Sequence, residues 1–166
     1  AALLHDVGMS IHRTGHEEFS LFIAKDKLDD MLPQIYDRRA STIMRSEVLH
    51  AIIAHRSGGL PLTLEAGIVR IADALDMAKG RSRIPFAAGS PSIHSISAQA
   101  IEAVTIDKGA ERPIRLTVEM SNSAGVFQLD QLFRDKLKGS GIEEYVEVEG
   151  RMEGDTEKRL FQQFKL

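Results

Sequence analysis

The stretch Leu3-Leu4-His5-Asp6-Val7-Gly8 decides how this chain is read. Adjacent His and Asp side chains point in different directions on a helix, so both face one core only near a helix end or a packing corner. Gly8 supplies such an end, and Leu3, Leu4 and Val7 would bury the pair. A buried carboxylate needs a compensating partner. With an imidazole beside it, a metal ion is the economical one. The plainer alternative is a satisfied core histidine next to a turn or N-cap aspartate. Taken alone the dipeptide favours that alternative; the rest of the chain reverses the balance.

Working outward, the 166 residues suffice for one domain or one plus a small appendage, and 43% hydrophobic residues can fill a core. There is no cysteine, which excludes disulfides, thiolate metal sites and a Cys nucleophile. Any metal must therefore take nitrogen and oxygen ligands. A formal net charge of −3 with a pI near 6.1 argues against a nucleic-acid or membrane-surface partner. No apolar run approaches the roughly 18 residues of a transmembrane helix and no signal peptide is visible, so a cytoplasmic protein is expected. The chain opens in mid-pattern at Ala1-Ala2-Leu3-Leu4, without an initiator Met or a cap. A missing N-terminal part is expected from this.

Residues 1–84 read as helical. Leu3 to Val7 close one helix. Thr14 and Glu17 fit a capping box, with Thr14 as cap and Glu17 reaching back. Phe19, Phe22 and Ile23 give a helical stripe running to about Leu32, before Pro33. A third helix is expected from about Ser41 to Arg56, stopping at Gly58-Gly59. A fourth follows Thr63 and runs to about Lys79. Residues 85–98 are rich in Pro, Gly and Ser and read as a linker. Beyond them, Ile101 to Ile106 and Ile114 to Met120 read as strands about a turn at Lys108-Gly109-Ala110. Phe127, Leu129, Leu132, Phe133 and Leu137 have helical spacing ended by Gly139-Ser140-Gly141. Residues 145–149 alternate as a strand, and 157–166 read as a short helix or strand. The class is α+β: an all-helical core followed by a small ββαβ unit over residues 99–166.

Periodicity sorts the polar residues. Val48, Ile52 and His55 share the apolar face of the third helix, so His55 points inward. His50 lies roughly opposite, at ~100° per residue, and is excluded as a leading ligand. The fourth helix is apolar nearly all round (Leu64, Ala66, Ile68, Val69, Ile71, Ala72, Leu75, Met77) and reads as buried. Two carboxylates on it, Asp73 and Asp76, would demand partners. These are a hydrogen-bond network, an Arg or a metal, and periodicity does not choose between the two acids. His16 sits in the first turn of its helix, where the dipole disfavours imidazolium and keeps the ring able to bind metal. An exposed first-turn histidine is the plainer reading. His12 is four residues before His16, but the Thr14 cap and Gly15 put it outside the helix.

His5-Asp6 at a helix end, His16 opening the next helix, His55 ending a third and Ile71-Ala72-Asp73-Ala74-Leu75-Asp76 on a fourth together resemble the HD-domain metal-dependent phosphohydrolases. The resemblance covers residues 1 to about 84. The stretch from Val69 to Arg83 looks especially like archaeal and bacterial members. It implies that His5 and Asp6 match the paired ligands naming the family, with Asp6 able to bridge two metals. Asp73 would complete the first metal site, and His16 and His55 would hold a second metal. Asp76 would support the ligands from behind, and Asp6 and Asp73 would be the catalytic acids. The family also has a further His on an upstream helix, which this sequence lacks.

The resemblance further implies one or two divalent ions of Mn, Fe, Ni, Zn or Mg. Metal-activated water would hydrolyse a phosphate ester of a nucleotide or another small phosphorylated metabolite. Cations near the metals are then expected: Arg81 and Arg83 first, with Lys79, Arg56 and Arg13. Arg81 and Arg83 also read simply as a solvated basic turn after the fourth helix. After His55 the chain reads Arg56-Ser57-Gly58-Gly59-Leu60-Pro61, unlike the Gly-x-Gly-Tyr-Pro-like run of cyclic-dinucleotide members. The C-terminal unit could dimerise through a strand edge or cover the active-site mouth. A second reading, of another class, is a catalytically silent nucleotide-sensing or oligomerisation module.

Overall fold

A computed structural model describes residues 1–56, 58–78, 97–152 and 163–165. The chain divides into two compact units, one of Ala1–Asp73 with Gly139–Gly141, the other of Ala74–Lys138 with Ile142–Leu166. The fold is α+β, helical first and sheet-based afterwards. Most of the expected linker over 85–98 lies outside the described residues.

In the first unit, a run of turns leads into a 3-10 turn, Val7–Ser10. Helices α1 (His16–Met31), α2 (Arg38–Ala54) and α3 (Leu64–Leu75) follow. Two expectations fail at the start of α1. Its N-cap is Gly15, left-handed at φ 74°, and no side chain caps it, so Thr14 and Glu17 do not form a capping box. His5-Asp6 also does not close a helix, and Gly8 is not a left-handed stop. Gly8 is a close-approach glycine: its N–H donates to Ser20 Oγ at 2.8 Å, and a Cβ there would fall 2.1 Å from the His16 carbonyl oxygen. A missing side chain lets the Val7–Ser10 turn lie directly on α1.

Helix α2 begins three residues before the expected Ser41, because Asp37 caps it and accepts the Ala40 N–H at 2.8 Å. Its C-terminal end is closed by buried Arg70 of α3, whose guanidinium donates to the carbonyls of Arg56, at 2.9 Å, and Gly59. Leu4, Leu21, Ala24, Leu28, Leu32, Val48, Leu49 and Ile52 form one core cluster, and Ala1, Ala51, Ala54, Ala66 and Val69 another. The expectation that α3 is buried all round is corrected. Ala66, Gly67, Arg70 and Ile71 face inward, while Leu64 and Ile68 are more than half exposed and Ala72 is exposed. Residues 64, 68 and 72 lie one turn apart on the outer side. Apolar composition did not decide burial, because the packing surface covers one side only.

In the second unit, β1 (Ile101–Lys108) pairs antiparallel with β2 (Ile114–Met120). A π-helical turn, Gln128–Phe133, runs into the short helix α4 (Arg134–Leu137). Gly139 and Gly141 follow it, both at φ 76°. β3 (Val146–Met152) then pairs parallel with β2, and β4 (Gln163–Lys165) antiparallel with β3. The strand order is β1-β2-β3-β4. Parallel neighbours need a crossover connection, and the helical segment supplies it. Ile101, Leu116, Val118, Met120, Val146 and Val148 are buried, as are Leu129 and Phe133 one helical turn apart. On the other face, Glu147 accepts the backbone N–H groups of Ala110, Glu111 and Arg112 at 2.8–3.0 Å and Arg115 Nε at 2.6 Å. Those bonds, first the one from Ala110, hold its carboxyl down at about 2 against an opposing effect of burial.

Candidate metal centre

Four elements of the first unit carry the expected ligands. His5 and Asp6 lie in the turns before Val7–Ser10, His16 is the first residue of α1, His55 caps the C-terminus of α2, and Asp73 lies in the last turn of α3. The three histidines are held alike. Each Nδ1 meets the carbonyl oxygen three residues earlier: His5 that of Ala2 at 2.7 Å, His16 that of Arg13 at 2.9 Å, His55 that of Ile52 at 2.6 Å. A carbonyl only accepts, so each Nδ1 carries the proton. In the neutral ring each Nε2 then presents a lone pair.

These lone pairs converge on carboxylate oxygens. Asp6 Oδ1 lies 3.0 Å from His16 Nε2 and 3.4 Å from His55 Nε2, while Oδ2 lies 3.6 Å from His5 Nε2. Asp73 Oδ1 is 3.6 Å from His5 Nε2, and the Nε2 atoms of His16 and His55 are 3.3 Å apart. The His5 and His55 rings meet edge to face, with centroids 4.9 Å apart. One ligand atom from each of His5, Asp6 and His55 falls within 4.8 Å of the others. Burial, opposed by the bond to Ile52 and the charges of Asp73 and Asp6, pushes the His55 pKa below its ordinary value. Its ring is therefore neutral near pH 7, and its lone pair is open to a cation.

The cluster is thus a set of acceptors facing acceptors. Neutral Nε2 atoms against carboxylate oxygens repel unless a cation lies among them. Two or more protons could serve, but burial works against protonating His55. A divalent ion satisfies every lone pair at once, and imidazole with carboxylate suits transition ions. The donor set therefore fits a metal.

The remaining expected residues have the following surroundings. Arg13 is exposed, and its carbonyl fixes His16. Arg56 is half exposed and donates to Glu17 Oε1 at 2.9 Å. Lys79, Arg81 and Arg83 lie outside the described residues. Asp76 falls past the end of α3 and is exposed, where the sequence reading had it buried. His50 accepts the Leu62 N–H at 2.9 Å, a structural role that agrees with its exclusion. His12 lies in the loop before α1 and accepts the Thr14 N–H. Sequence reasoning missed Glu17 as a neighbour of this cluster. The available signal was that Glu17 and Arg56 directly follow His16 and His55.

The HD domain family matches residues 1–78, and this segment of the chain belongs to that family, whose superfamily is one of metal-dependent hydrolases. The uncharacterized protein MJ1020 of Methanocaldococcus jannaschii is 44% identical over 165 residues, covering 99% of this chain and 63% of that protein. The chain therefore spans under two thirds of the length of that relative. No solved structure matches the chain.

Proposed function

We propose that this chain is a phosphohydrolase that cleaves a phosphate ester of a nucleotide or another small phosphorylated metabolite with metal-activated water. The observation that carries the reading is the convergence of three Nδ1-protonated histidines on the two oxygens of Asp6. Asp6 faces His5 with one oxygen and His16 and His55 with the other, a division that suits a carboxylate shared by two ions. His5, Asp6 and Asp73 would hold one, and Asp6, His16 and His55 the other. Mn, Fe, Ni, Zn or Mg would serve, and such ions supply a water ionised near neutrality and neutralise phosphoryl charge.

The chain's own contributions follow from its geometry. Backbone carbonyls fix each ring's tautomer, so no proton has to leave a histidine before an ion is bound. Arg13, Lys79, Arg81 and Arg83 are the cations proposed to meet the substrate phosphate, by point charge or bidentate contact. A cytoplasmic location belongs to the same reading. So does a homodimer through the second unit, whose edge strand β1 exposes Ile106. No described helix is long and apolar enough to cross a membrane.

The test is metal content of protein purified without chelator, beside Asp6→Ala, followed by a phosphatase and nucleotidase screen with each candidate ion. One or two tightly held ions, lost in the variant together with ester hydrolysis, is the expected result. Protein that takes up no ion and shows no metal-stimulated hydrolysis refutes the proposal.

A further inference from the structure

Glu17 and Arg56 stand one residue after His16 and His55. Their ion pair, at 2.9 Å, accompanies the 3.3 Å approach of the two Nε2 atoms and ties the start of α1 to the end of α2. The second oxygen of Glu17 is the more telling. Among the described residues, Glu17 Oε2 is the one buried side-chain nitrogen or oxygen without a hydrogen-bond partner. It lies 3.4 Å from His16 Nδ1, whose proton goes to the Arg13 carbonyl. A buried acceptor left unpaired costs stability, so its persistence calls for a cause.

We propose that the Glu17–Arg56 pair is a positioning element for the metal centre: it sets the spacing of His16 and His55 and offers His16 Nδ1–H a second, anionic acceptor. This rests on reading the histidine–aspartate cluster as a metal centre. An imidazole that gives its Nε2 lone pair to a cation becomes a stronger donor at Nδ1, and a carboxylate there holds the ring and raises its basicity. Arg56 then serves the site through Glu17, holding that carboxylate in place, rather than by binding substrate phosphate.

The experiment is Co(II) titration of the chelator-stripped protein, followed by calorimetry and by visible absorption. It compares wild type with Glu17→Gln, Arg56→Met, Arg56→Lys, the Glu17→Gln/Arg56→Met double variant and His16→Ala. Each single neutral variant should weaken Co(II) binding by roughly 10- to 100-fold and alter the absorption bands. Because the two side chains act as one unit, the double variant should lose no more than the weaker-binding single variant. Arg56→Lys should retain part of the affinity. Wild-type affinity and spectrum in both neutral variants, with the ion lost in His16→Ala, would overturn the positioning role and leave the metal centre standing. Losses that multiply in the double variant would also overturn it, since the residues would then act separately. A wild-type protein that takes up no Co(II) would sink both readings. Thermal melts of the ion-free proteins report folding. Should Glu17→Gln fail to fold, the half-exposed Arg56 variants decide: a purely structural ion pair would lower the melting temperature and leave the Co(II) spectrum unchanged.

Discussion

Replacing Gly8 by alanine should damage the metal centre without touching a ligand. A Cβ at this position would fall 2.1 Å from the His16 carbonyl oxygen, 2.5 Å from the Ser20 nitrogen and 2.8 Å from Phe19 Cβ. The first two are backbone atoms of α1, which no side-chain rotation can move aside. To regain ordinary contact at ~3.4 Å, the Val7–Ser10 turn must retreat from α1 by about 1.3 Å. That retreat breaks the buried bond from Gly8 N–H to Ser20 Oγ. Overpacking with a lost buried hydrogen bond should cost about 2–4 kcal/mol. Asp6 is two residues from Gly8, so its 3.0 Å approach to His16 and 3.4 Å approach to His55 open with the turn. Misplacement of about 1 Å is worth on the order of 100-fold in a catalytic site, so ion affinity and any hydrolysis should fall together. Urea unfolding and Co(II) titration measure the two effects. Gly58→Ala is the control, since nothing lies within 4 Å of a Cβ there. Wild-type stability and Co(II) affinity in Gly8→Ala would refute the argument that this glycine seats the His5-Asp6 turn.

Three further outcomes follow from the same structure. Asp6→Asn places an amide donor among the lone pairs of His5, His16 and His55, so the ion-free protein should melt higher than wild type while binding no ion; a lower ion-free melting temperature would count against the acceptor-on-acceptor description. Glu147 titrates at about 2 in the folded state against an ordinary 4.5, so its contribution is fully present above pH 4.5 and is lost as pH falls towards 2. Glu147→Gln should therefore flatten the acid limb of a stability–pH curve between those values, and an unchanged limb would contradict it. His50→Ala removes the acceptor for the Leu62 N–H and should cost about 1 kcal/mol while leaving Co(II) affinity unchanged; a loss of the ion would place His50 in the centre after all.

The clustered residues were legible less from periodicity than from the ordered set His5-Asp6, His16, His55 and Asp73 over one helical stretch. His55 shares the apolar stripe of Val48 and Ile52, and it is buried. Periodicity did not separate Asp73 from Asp76; the family resemblance chose Asp73, whose carboxylate lies 3.6 Å from His5 Nε2. The local structure that presents them was less legible. Thr14 and Glu17 have capping-box spacing, yet Gly15 takes the cap, because a left-handed residue lets the chain enter α1 from the loop that holds His12 and Arg13. Gly8 follows an apolar run and so resembles a helix stop. Its use is set by α1, twelve residues away at Ser20, which no local pattern reports. In the second unit, strands and helical spacing were readable from alternation and from Leu129 and Phe133. The parallel pairing of β2 with β3 was not, since register depends on which edge the crossover returns to.

The placement of the histidines at element ends has a physical reason that joins these observations. Inside an α-helix, backbone carbonyls are consumed by the amides four residues on; only the last turn, and loops and turns, leave them open to a side chain. His55 is the C-cap of α2 and takes the Ile52 carbonyl, one of the helix's last. His16, first in α1, takes the Arg13 carbonyl from the loop before it, and His5 takes Ala2 from the opening turns. Each ring thereby has its proton pinned on Nδ1 by backbone, with Nε2 turned inward. A histidine in mid-helix would find no such carbonyl and would need a side-chain partner to fix its tautomer. Building the centre from a turn, a helix start and a helix end therefore lets backbone fix all three tautomers, with Glu17 adding a second acceptor only at His16. It also makes the site depend on how closely those ends approach, which is the task assigned here to Gly8 and to the Glu17–Arg56 pair.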